Sequence, residues 1–419
     1  MNLGKNCQLP SPMMENSPKS LSQTAIEERP APLEQLSPLN QTQRKFSIGL
    51  PREISPDENR IAIVPSAVTE LVENGHTVYY EKGAGQHAKF SDEEYAAAGA
   101  IVCDTPDEIF KAEIIVKVAP PHPHEQERLK PRQVLFSSVH TFIQPKEYFT
   151  GLMQKKITAI GFEYIKDDSN AFPVMRSMSE ISGTTAILVA AEYLSHPVLG
   201  KGSMLGGFPG INPSEIVIIG GGTVAEYAAR TALGMGAIVK IFDDKVYKLR
   251  HIQYVLGSRV FTSILQPKVL TKSLLTADVV IGALFSREGR TPLIVSEEMV
   301  SKMKRGSVIV DVSIDQGGCI ETSRPTTHTH PVYQVYGVTH YCVPNIASRV
   351  PHTASYAFSN VFTPIILKIG YLGGLEKYIK KDYGLRQGVY LLNGTLTNKT
   401  IGDHFSIPSQ DIELLMAAF

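Results

Sequence analysis

The chain has 419 residues, which is too long for one simple core and predicts two domains. Its 41 basic and 41 acidic residues balance, and no apolar run reaches the roughly 20 residues of a membrane helix. We therefore expect neither nucleic acid nor a membrane as a partner. The four cysteines stand apart without a C-x-x-C pair, which argues against a zinc site or a disulfide framework and favours a cytoplasmic location.

The first 45 residues differ in composition from the rest of the chain. They are rich in Ser, Pro, Asn, Gln and Glu, show no helical or strand periodicity, and lack the apolar core of a secretory signal. This composition predicts a flexible tail, with a partner-binding arm as the alternative interpretation.

From residue 46 onward, predicted strands alternate with predicted helices. Apolar runs indicate strands at residues 46–51, 77–81, 113–118, 134–139 and 158–164. Helices are predicted at 65–75 and after the capping-box residues Ser91 and Thr105. This alternation predicts a mostly parallel sheet covered by helices. A long apolar helix at about 179–194 and a glycine-rich connector at 200–210 then lead into a second unit.

The second unit opens with a glycine-rich motif that follows an apolar strand pattern. Gly220 permits a tight turn, and Gly222 lets a pyrophosphate approach the backbone. Thr223 and Val224 begin a predicted helix, whose free N–H groups and positive dipole end favour phosphate. With a further strand behind it, this motif predicts a dinucleotide site; the alternative is a glycine turn in an ordinary α/β protein.

The strand at residues 238–242 ends in Asp243, which bears on the cofactor. A carboxylate at this position binds the ribose hydroxyls and disfavours a 2′-phosphate, so NAD is favoured over NADP. Lys245 lies close by and weakens that preference.

Strand patterns at residues 278–284 and 307–312 and a helical pattern at 354–369 complete the chain. We predict an α/β protein of two Rossmann-like domains with mostly parallel sheets, the first discontinuous and completed by C-terminal helices. The substrate domain is predicted at 46–173 and 352–419, and the NAD-binding domain at 174–351. A cleft between two such domains is where a cofactor would meet a substrate.

Hydride transfer involving a small acid requires a cation for the carboxylate and a group that exchanges protons near neutral pH. Arg60 offers a guanidinium fork, although a surface arginine is the alternative. His140 follows a buried strand, where ligands meet open α/β sheets, but a structural histidine would fit as well. Asp315 also follows a strand and either faces nicotinamide or caps a turn.

Two H-x-H pairs raise the question of a metal. They stand at residues 122–124 and 328–330, in polar segments with no third or fourth ligand nearby. Solvated loops are the simpler interpretation, and no metal is predicted.

Several of these segments resemble a known family. Residues 49–53 and 58–65 resemble the N-terminal signature shared by alanine dehydrogenase and the alpha subunit of proton-translocating nicotinamide nucleotide transhydrogenase. Residues 314–321, 323–327, 330–331, 341–345 and 350–351 resemble alanine dehydrogenase specifically, and the resemblance runs from about residue 46 to the C-terminus.

The resemblance implies an activity and roles for individual residues. Arg60 matches the residue that binds the substrate carboxylate, His140 the acid/base histidine, and Asp243 the ribose-binding acid. Asp315 matches an aspartate near nicotinamide and the substrate amine. Three further residues match the substrate and nicotinamide pocket: Met178, Ser179 and Asn345. The implied reaction is the reversible oxidative deamination of L-alanine to pyruvate and ammonia with NAD, by a homo-oligomer that is often a hexamer.

One position departs from the family. Its motif Lys-Val-Lys-Glu-Pro carries a second lysine that holds and polarises the substrate, and Ala119 stands there in this chain. Lys117 matches the first lysine and points to the same face of the strand, so it is a candidate substrate-binding residue. Ala119 keeps two alternatives open: a transhydrogenase-like hydride-transfer component, or an NAD-binding sensor with impaired catalysis.

Overall fold

The computed structural model describes residues 43–141, 143–286 and 289–417. The predicted tail therefore lies outside the described residues, apart from residues 43–45, which are exposed and irregular.

The first sheet contains eight strands. They are β1 (Ser47–Leu50), β2 (Thr77–Glu81), β3 (Ile101–Cys103), β4 (Ile114–Val116), β5 (Val134–Ser137), β6 (Thr158–Gly161), β14 (Val389–Leu392) and β15 (Thr395–Leu396). Their order is β15-β14-β6-β5-β4-β1-β2-β3. Strands β1 to β6 pair in parallel, and β14 joins β6 antiparallel. The five strands predicted in this region are confirmed.

Short helices cover this sheet: α1 (Pro65–Glu73), α2 (Asp92–Ala97), α3 (Pro106–Ile109), α4 (Pro123–Arg128) and α5 (Lys146–Gln154). The capping box at Ser91 is confirmed, since its hydroxyl accepts from the backbone N–H of Glu94 and the Glu94 carboxylate accepts in return. The prediction of a capping box at Thr105 is wrong, because the Thr105 side chain makes no capping hydrogen bond. Helix α3 begins there because Pro106 suits the first helical position.

The long helix α6 (Pro173–Ser195) connects the two sheets. It begins before the predicted start at residue 179, because Pro173 again occupies the first turn. Met178 and Ser179 consequently lie inside the helix.

The second sheet contains seven strands. They are β7 (Glu215–Ile219), β8 (Ile238–Phe242), β9 (Phe261–Ser263), β10 (Val279–Gly282), β11 (Val308–Asp311), β12 (Val332–Val335) and β13 (Val338–Tyr341). Their order is β12-β13-β11-β10-β7-β8-β9, and β12 alone is antiparallel to its neighbour. The helices between them are α7 (Thr223–Gly234), α8 (Val246–Leu256), α9 (Pro267–Thr276) and α10 (Glu297–Ser301).

The C-terminal part returns to the first sheet through α11 (Pro351–Tyr371), α12 (Leu375–Lys381), α13 (Tyr383–Gly388), α14 (Lys399–Phe405) and α15 (Ile412–Ala417). Phe358 and Phe362 of α11 pack against Phe162 beside β6. The prediction of a discontinuous first domain is confirmed, but its completion includes the unpredicted strands β14 and β15. Among the described residues, no single helix has the length and hydropathy to cross a bilayer; only the bent pair α11–α12 passes, on length and composition.

Both sheets share one connectivity. The six strands β1 to β6 lie in the order 3-2-1-4-5-6 of doubly wound folds. In the second sheet, the six strands β7 to β11 and β13, numbered from one in chain order, lie in the same order. The strand order reverses between β1 and β4 in the first sheet and between β7 and β10 in the second. Ligands of such sheets bind outside the carboxyl ends of the strands at this switch point.

Candidate active site

The segment after β1 carries an arginine and a glutamate that form a hydrogen-bonded ion pair. The Arg60 Nε and Nη2 donate to the two oxygens of Glu58 at 2.7 and 2.5 Å, and the backbone N–H of Arg60 donates to the same carboxylate. Each residue is only 8% exposed. The pair therefore fixes the guanidinium in one orientation at the carboxyl end of the sheet.

This pairing leaves one edge of the Arg60 guanidinium for a ligand. Glu58 occupies the side edge, formed by Nε and Nη2. Because a guanidinium has five N–H donors in total, donors remain on the end edge, formed by Nη1 and Nη2. At the end edge, Nη1 meets the sulfur of Met178 at 3.3 Å, a weak acceptor. The ring of Phe358 lies 5.0 Å from the guanidinium carbon and supports it by a cation–π contact. A second carboxylate can bind at the end edge without displacing Glu58.

Asn345 joins this pair to Asp315 across the two sheets. Its side-chain amide donates to Glu58 at 3.0 Å, and its backbone N–H donates to Asp315 at 2.7 Å. Asn345 follows β13 in the left-handed conformation, with φ of 57°, which asparagine tolerates well. Burial raises the pKa of Asp315, although this N–H bond and the charge of Arg60 act against it.

His140 follows β5 and faces the same cluster. Desolvation lowers the pKa of His140, and the positive charge of Arg60 adds to this effect, while Glu58 opposes it. The residue is nevertheless exposed to solvent in part. A histidine with a lowered pKa is neutral near pH 7 and can accept a proton.

Five predicted residues therefore come together: Arg60, Met178, His140, Asp315 and Asn345. All follow carboxyl strand ends except Met178, which lies on α6. Both sheets therefore contribute residues to this cluster. Ser179 is half-buried on α6 immediately after Met178.

Lys117 belongs to a separate buried ionic group. Its ammonium is 2.6 Å from Glu125 and 3.4 Å from Glu53, and the residue is 1% exposed. Burial by itself would lower the pKa of Lys117, but the two carboxylates outweigh it and raise the pKa. Lys117 is therefore charged and fully engaged in this structure, and its substrate-binding role stays a prediction.

Ala119, which the sequence resemblance aligns with the second lysine of the family motif, lies next to this ionic group. It is 5% exposed, and its backbone N–H and that of Val118 donate to Glu53 at 3.3 and 2.6 Å. Burial raises the pKa of Glu53 to about 7, with Lys117 acting against the shift. The Glu53 carboxyl group therefore lies between the backbone of Ala119 and the ammonium of Lys117.

The glycine loop after β7 is shaped for a ligand. Gly220 has φ of +120°, and a Cβ there would lie 2.3 Å from the carbonyl oxygen of Ala283, so only glycine fits the turn. A Cβ on Gly222 would meet no atom within 4 Å, so space is open above the loop. Gly222 caps α7 without any side-chain capping bond, and Thr223 and Val224 form its first turn. This open helix N-terminus suits a pyrophosphate.

Asp243 supports this loop from β8. Its carboxylate accepts from the N–H groups of Gly221 at 2.7 Å and Lys245 at 2.8 Å, and Lys248 lies 3.3 Å away. The residue is fully buried. Asp243 therefore orders the phosphate loop itself, and its bond to a ribose stays a prediction.

The two H-x-H pairs in the sequence lie in no group of metal ligands among the described residues. The rings of His122 and His124 lie 5.9 Å apart, and the ring of His122 contacts the Ser55 hydroxyl at 3.3 Å. In the part of the chain that the structure describes, no group of three or more His, Cys, Asp or Glu residues could hold a metal ion.

Sequence reasoning missed the carboxylates of the site. Glu58 precedes Arg60 by two positions, and Glu53 and Glu163 follow the strands β1 and β6. Their positions after predicted strands could have marked Glu53 and Glu163 as candidate site residues. Acidic residues are common in loops, however, and only the fold shows which of them are buried at the site.

The fold and site define an α/β protein of two mostly parallel sheets with a Rossmann-type nucleotide-binding unit. Family models for the N-terminal and C-terminal domains of alanine dehydrogenase/PNT match residues 49–182 and 186–399. The chain belongs to the alanine dehydrogenase/PNT family.

Individual relatives agree with this assignment. Alanine dehydrogenase from Methanococcus maripaludis is 42% identical over 363 residues, which cover 86% of this chain and 97% of the relative. Alanine dehydrogenase from Bacillus subtilis is 39% identical, covering 84% and 93%. A solved structure of L-alanine dehydrogenase matches with a TM-score of 0.80 and 38% identity over 86% of this chain and 99% of that one. A transhydrogenase from Sinorhizobium meliloti matches at 0.72 with 23% identity over 84% and 99%, which shows the shared fold.

Proposed function

We propose that this protein is an NAD-dependent amino-acid dehydrogenase that interconverts L-alanine with pyruvate and ammonia. The observation that carries the proposal is the Arg60 guanidinium, which is held by Glu58 on one edge and whose charge acts on both His140 and Asp315. Membership of the alanine dehydrogenase/PNT family supports it.

Each residue has a distinct task in this proposal. Arg60 binds the substrate carboxylate, and Met178 limits the space beside it. His140 exchanges protons as water adds to the imine carbon and as ammonia leaves the carbinolamine. Asp315, fixed by the N–H of Asn345, faces the substrate amine.

The glycine loop and its neighbours would hold NAD. Gly220, Gly222, Thr223 and Val224 would bind the pyrophosphate, Asp243 the ribose, and Ser179 and Asp315 the nicotinamide side. When bound, NAD accepts or returns the hydride of the substrate α-carbon. The open space above Gly222 supports this assignment.

The remaining predictions belong to the same proposal. The substrate domain comprises residues 46–173 and 352–419, and the NAD-binding domain 174–351. The enzyme works in the cytoplasm as a homo-oligomer, with a hexamer as the expected form. Mass photometry of the purified protein measures the subunit number.

Ala119 supports a second candidate, a transhydrogenase-like or non-catalytic NAD-binding role. The buried group of Glu53, Lys117 and Glu125 leaves no unpaired ammonium beside Ala119 among the described residues. That candidate predicts NADH binding without turnover of any keto acid.

One assay separates the two candidates. We expect purified protein to oxidise NADH when given pyruvate and ammonium, with stoichiometric formation of alanine. His140→Ala should abolish this turnover while NADH binding, followed by fluorescence, persists. Binding of NADH by the wild type with no turnover of pyruvate or other small keto acids would contradict the proposal.

A further inference from the structure

Glu163 lies beside His140 and holds its backbone. It follows β6, the neighbour of the strand that leads to His140. One oxygen, Oε1, accepts the N–H of Val139 at 2.7 Å and the N–H of His140 at 3.3 Å. One carboxylate oxygen thus binds two consecutive backbone donors.

His140 needs such support, because its backbone is strained. Its φ is +50°, in the left-handed region that residues other than glycine rarely adopt. A conformation of this kind costs on the order of 1 kcal/mol or more and persists only where the surroundings impose it. Thr141, the next residue, is also fixed, since its hydroxyl lies 2.7 Å from that of Tyr164.

The Glu163 carboxylate itself occupies an unfavourable environment. Burial raises its pKa to about 6, and the N–H bonds from Val139 and His140 act against this shift. Its other oxygen, Oε2, is buried without a hydrogen-bond partner among the described residues. Such a group costs stability, so its presence calls for a functional reason.

The end of β6 is shaped around this contact. A Cβ on Gly161 would lie 2.5 Å from a methyl group of Val139 and 3.3 Å from Glu163 Oε2. Glycine at this position therefore lets the His140 segment approach the glutamate closely.

We propose that Glu163 is the positioning residue for His140: it fixes the left-handed backbone that directs the imidazole toward Arg60. The inference rests on the proposed dehydrogenase function for its kinetic consequences. Its structural part, the dependence of the His140 conformation on Glu163, stands independently of turnover.

Two substitutions of Glu163 test the idea. Glu163→Ala removes the acceptor, and we expect kcat to fall by about tenfold or more while NADH affinity stays within about twofold. Glu163→Gln keeps an oxygen that can accept both N–H groups, so it should recover most of the lost kcat. Glu215→Ala, which removes a carboxylate paired with Lys240 far along the chain in β7, is the control and should leave kcat within about twofold.

Crystal structures of the two variants complete the experiment. We expect φ of His140 to leave the left-handed region in Glu163→Ala and to remain there in Glu163→Gln. An unchanged His140 with wild-type kcat in Glu163→Ala would overturn the proposal, as would Glu163→Gln as impaired as Glu163→Ala. If the wild type turns over no keto acid, the proposed function fails, while the His140 conformation in the crystal structures still decides the role of Glu163.

Discussion

The interpretation of Arg60 depends on the residues that surround it in the structure. In the sequence it is one of many arginines, and a surface position was a fair alternative. In the structure it is buried, held by Glu58 on its side edge and by Met178 and Phe358 elsewhere. Because Glu58 already balances part of its charge, the arginine is stable in the cleft before a substrate arrives.

Ala119 leads to a prediction about catalytic rate. Ala119→Lys would place an ammonium beside the buried Glu53 carboxyl and near the cleft. We expect it to raise kcat for pyruvate and ammonium by about tenfold or more, because a preorganised cation stabilises developing negative charge. Ala119→Met, of similar length without charge, is the control and should not raise the rate. Equal rates for Ala119→Lys and Ala119→Met would mean that a missing cation does not limit turnover.

The pKa of His140 predicts the pH dependence of alanine oxidation. As a base, His140 must be neutral, and its pKa is lowered by desolvation and by Arg60. The acid limb of kcat/KM for alanine should therefore have its midpoint below the ordinary histidine value of about 6.5.

Glu53 needs a control in that profile, because burial raises its pKa to about 7. The Glu53→Gln variant should retain the acid limb at the same pH as the wild type. A limb with a midpoint above about 7 in both proteins would contradict the assignment to His140.

Among the elements, the contact between α6 and α7 places the glycine loop relative to Met178 and Ser179. A Cβ on Gly183 of α6 would lie 2.3 Å from the carbonyl oxygen of Val224 and 2.9 Å from the backbone nitrogen of Ala228. Gly183→Ala should therefore separate the helices, destabilise the fold by about 1–3 kcal/mol and weaken NADH binding.

Gly234→Ala, in the last turn of α7, is the matched control. A Cβ there would meet no atom within 4 Å, so we expect equal or slightly greater stability. Urea unfolding and NADH fluorescence titration measure both effects. Equal behaviour of the two variants would show that the α6–α7 contact does not position the loop.

The elements also show what the sequence could predict. The apolar runs of β1, β4, β5 and β7 are buried on both sides, so composition alone located them. Strands β14 and β15 were missed because they complete a sheet begun far earlier in the chain, beside a strand that is distant in sequence. Glu163 was missed for the same reason: the role of a carboxylate at a strand end depends on which strand lies beside it.

At the scale of the whole molecule, the described residues from 43 onward form one compact unit. A ligand that binds only the folded state adds about 2.7 kcal/mol at 100 times its Kd. We therefore expect NADH to raise the thermal midpoint by a few degrees.

NADPH at the same concentration should raise the midpoint less, because the buried carboxylate of Asp243 disfavours a 2′-phosphate. Differential scanning fluorimetry with both nucleotides makes the comparison. A larger shift with NADPH than with NADH would contradict the assignment of NAD.

The most direct test of the central claim, that the end edge of Arg60 binds the carboxylate of a small keto acid, is the KM for pyruvate in Arg60→Lys. Lysine keeps the charge but loses the planar fork. We predict that KM for pyruvate rises by about tenfold or more while KM for NADH stays within about twofold, with Arg52→Lys on the exposed part of the same loop as control. An unchanged KM for pyruvate in Arg60→Lys would contradict the account.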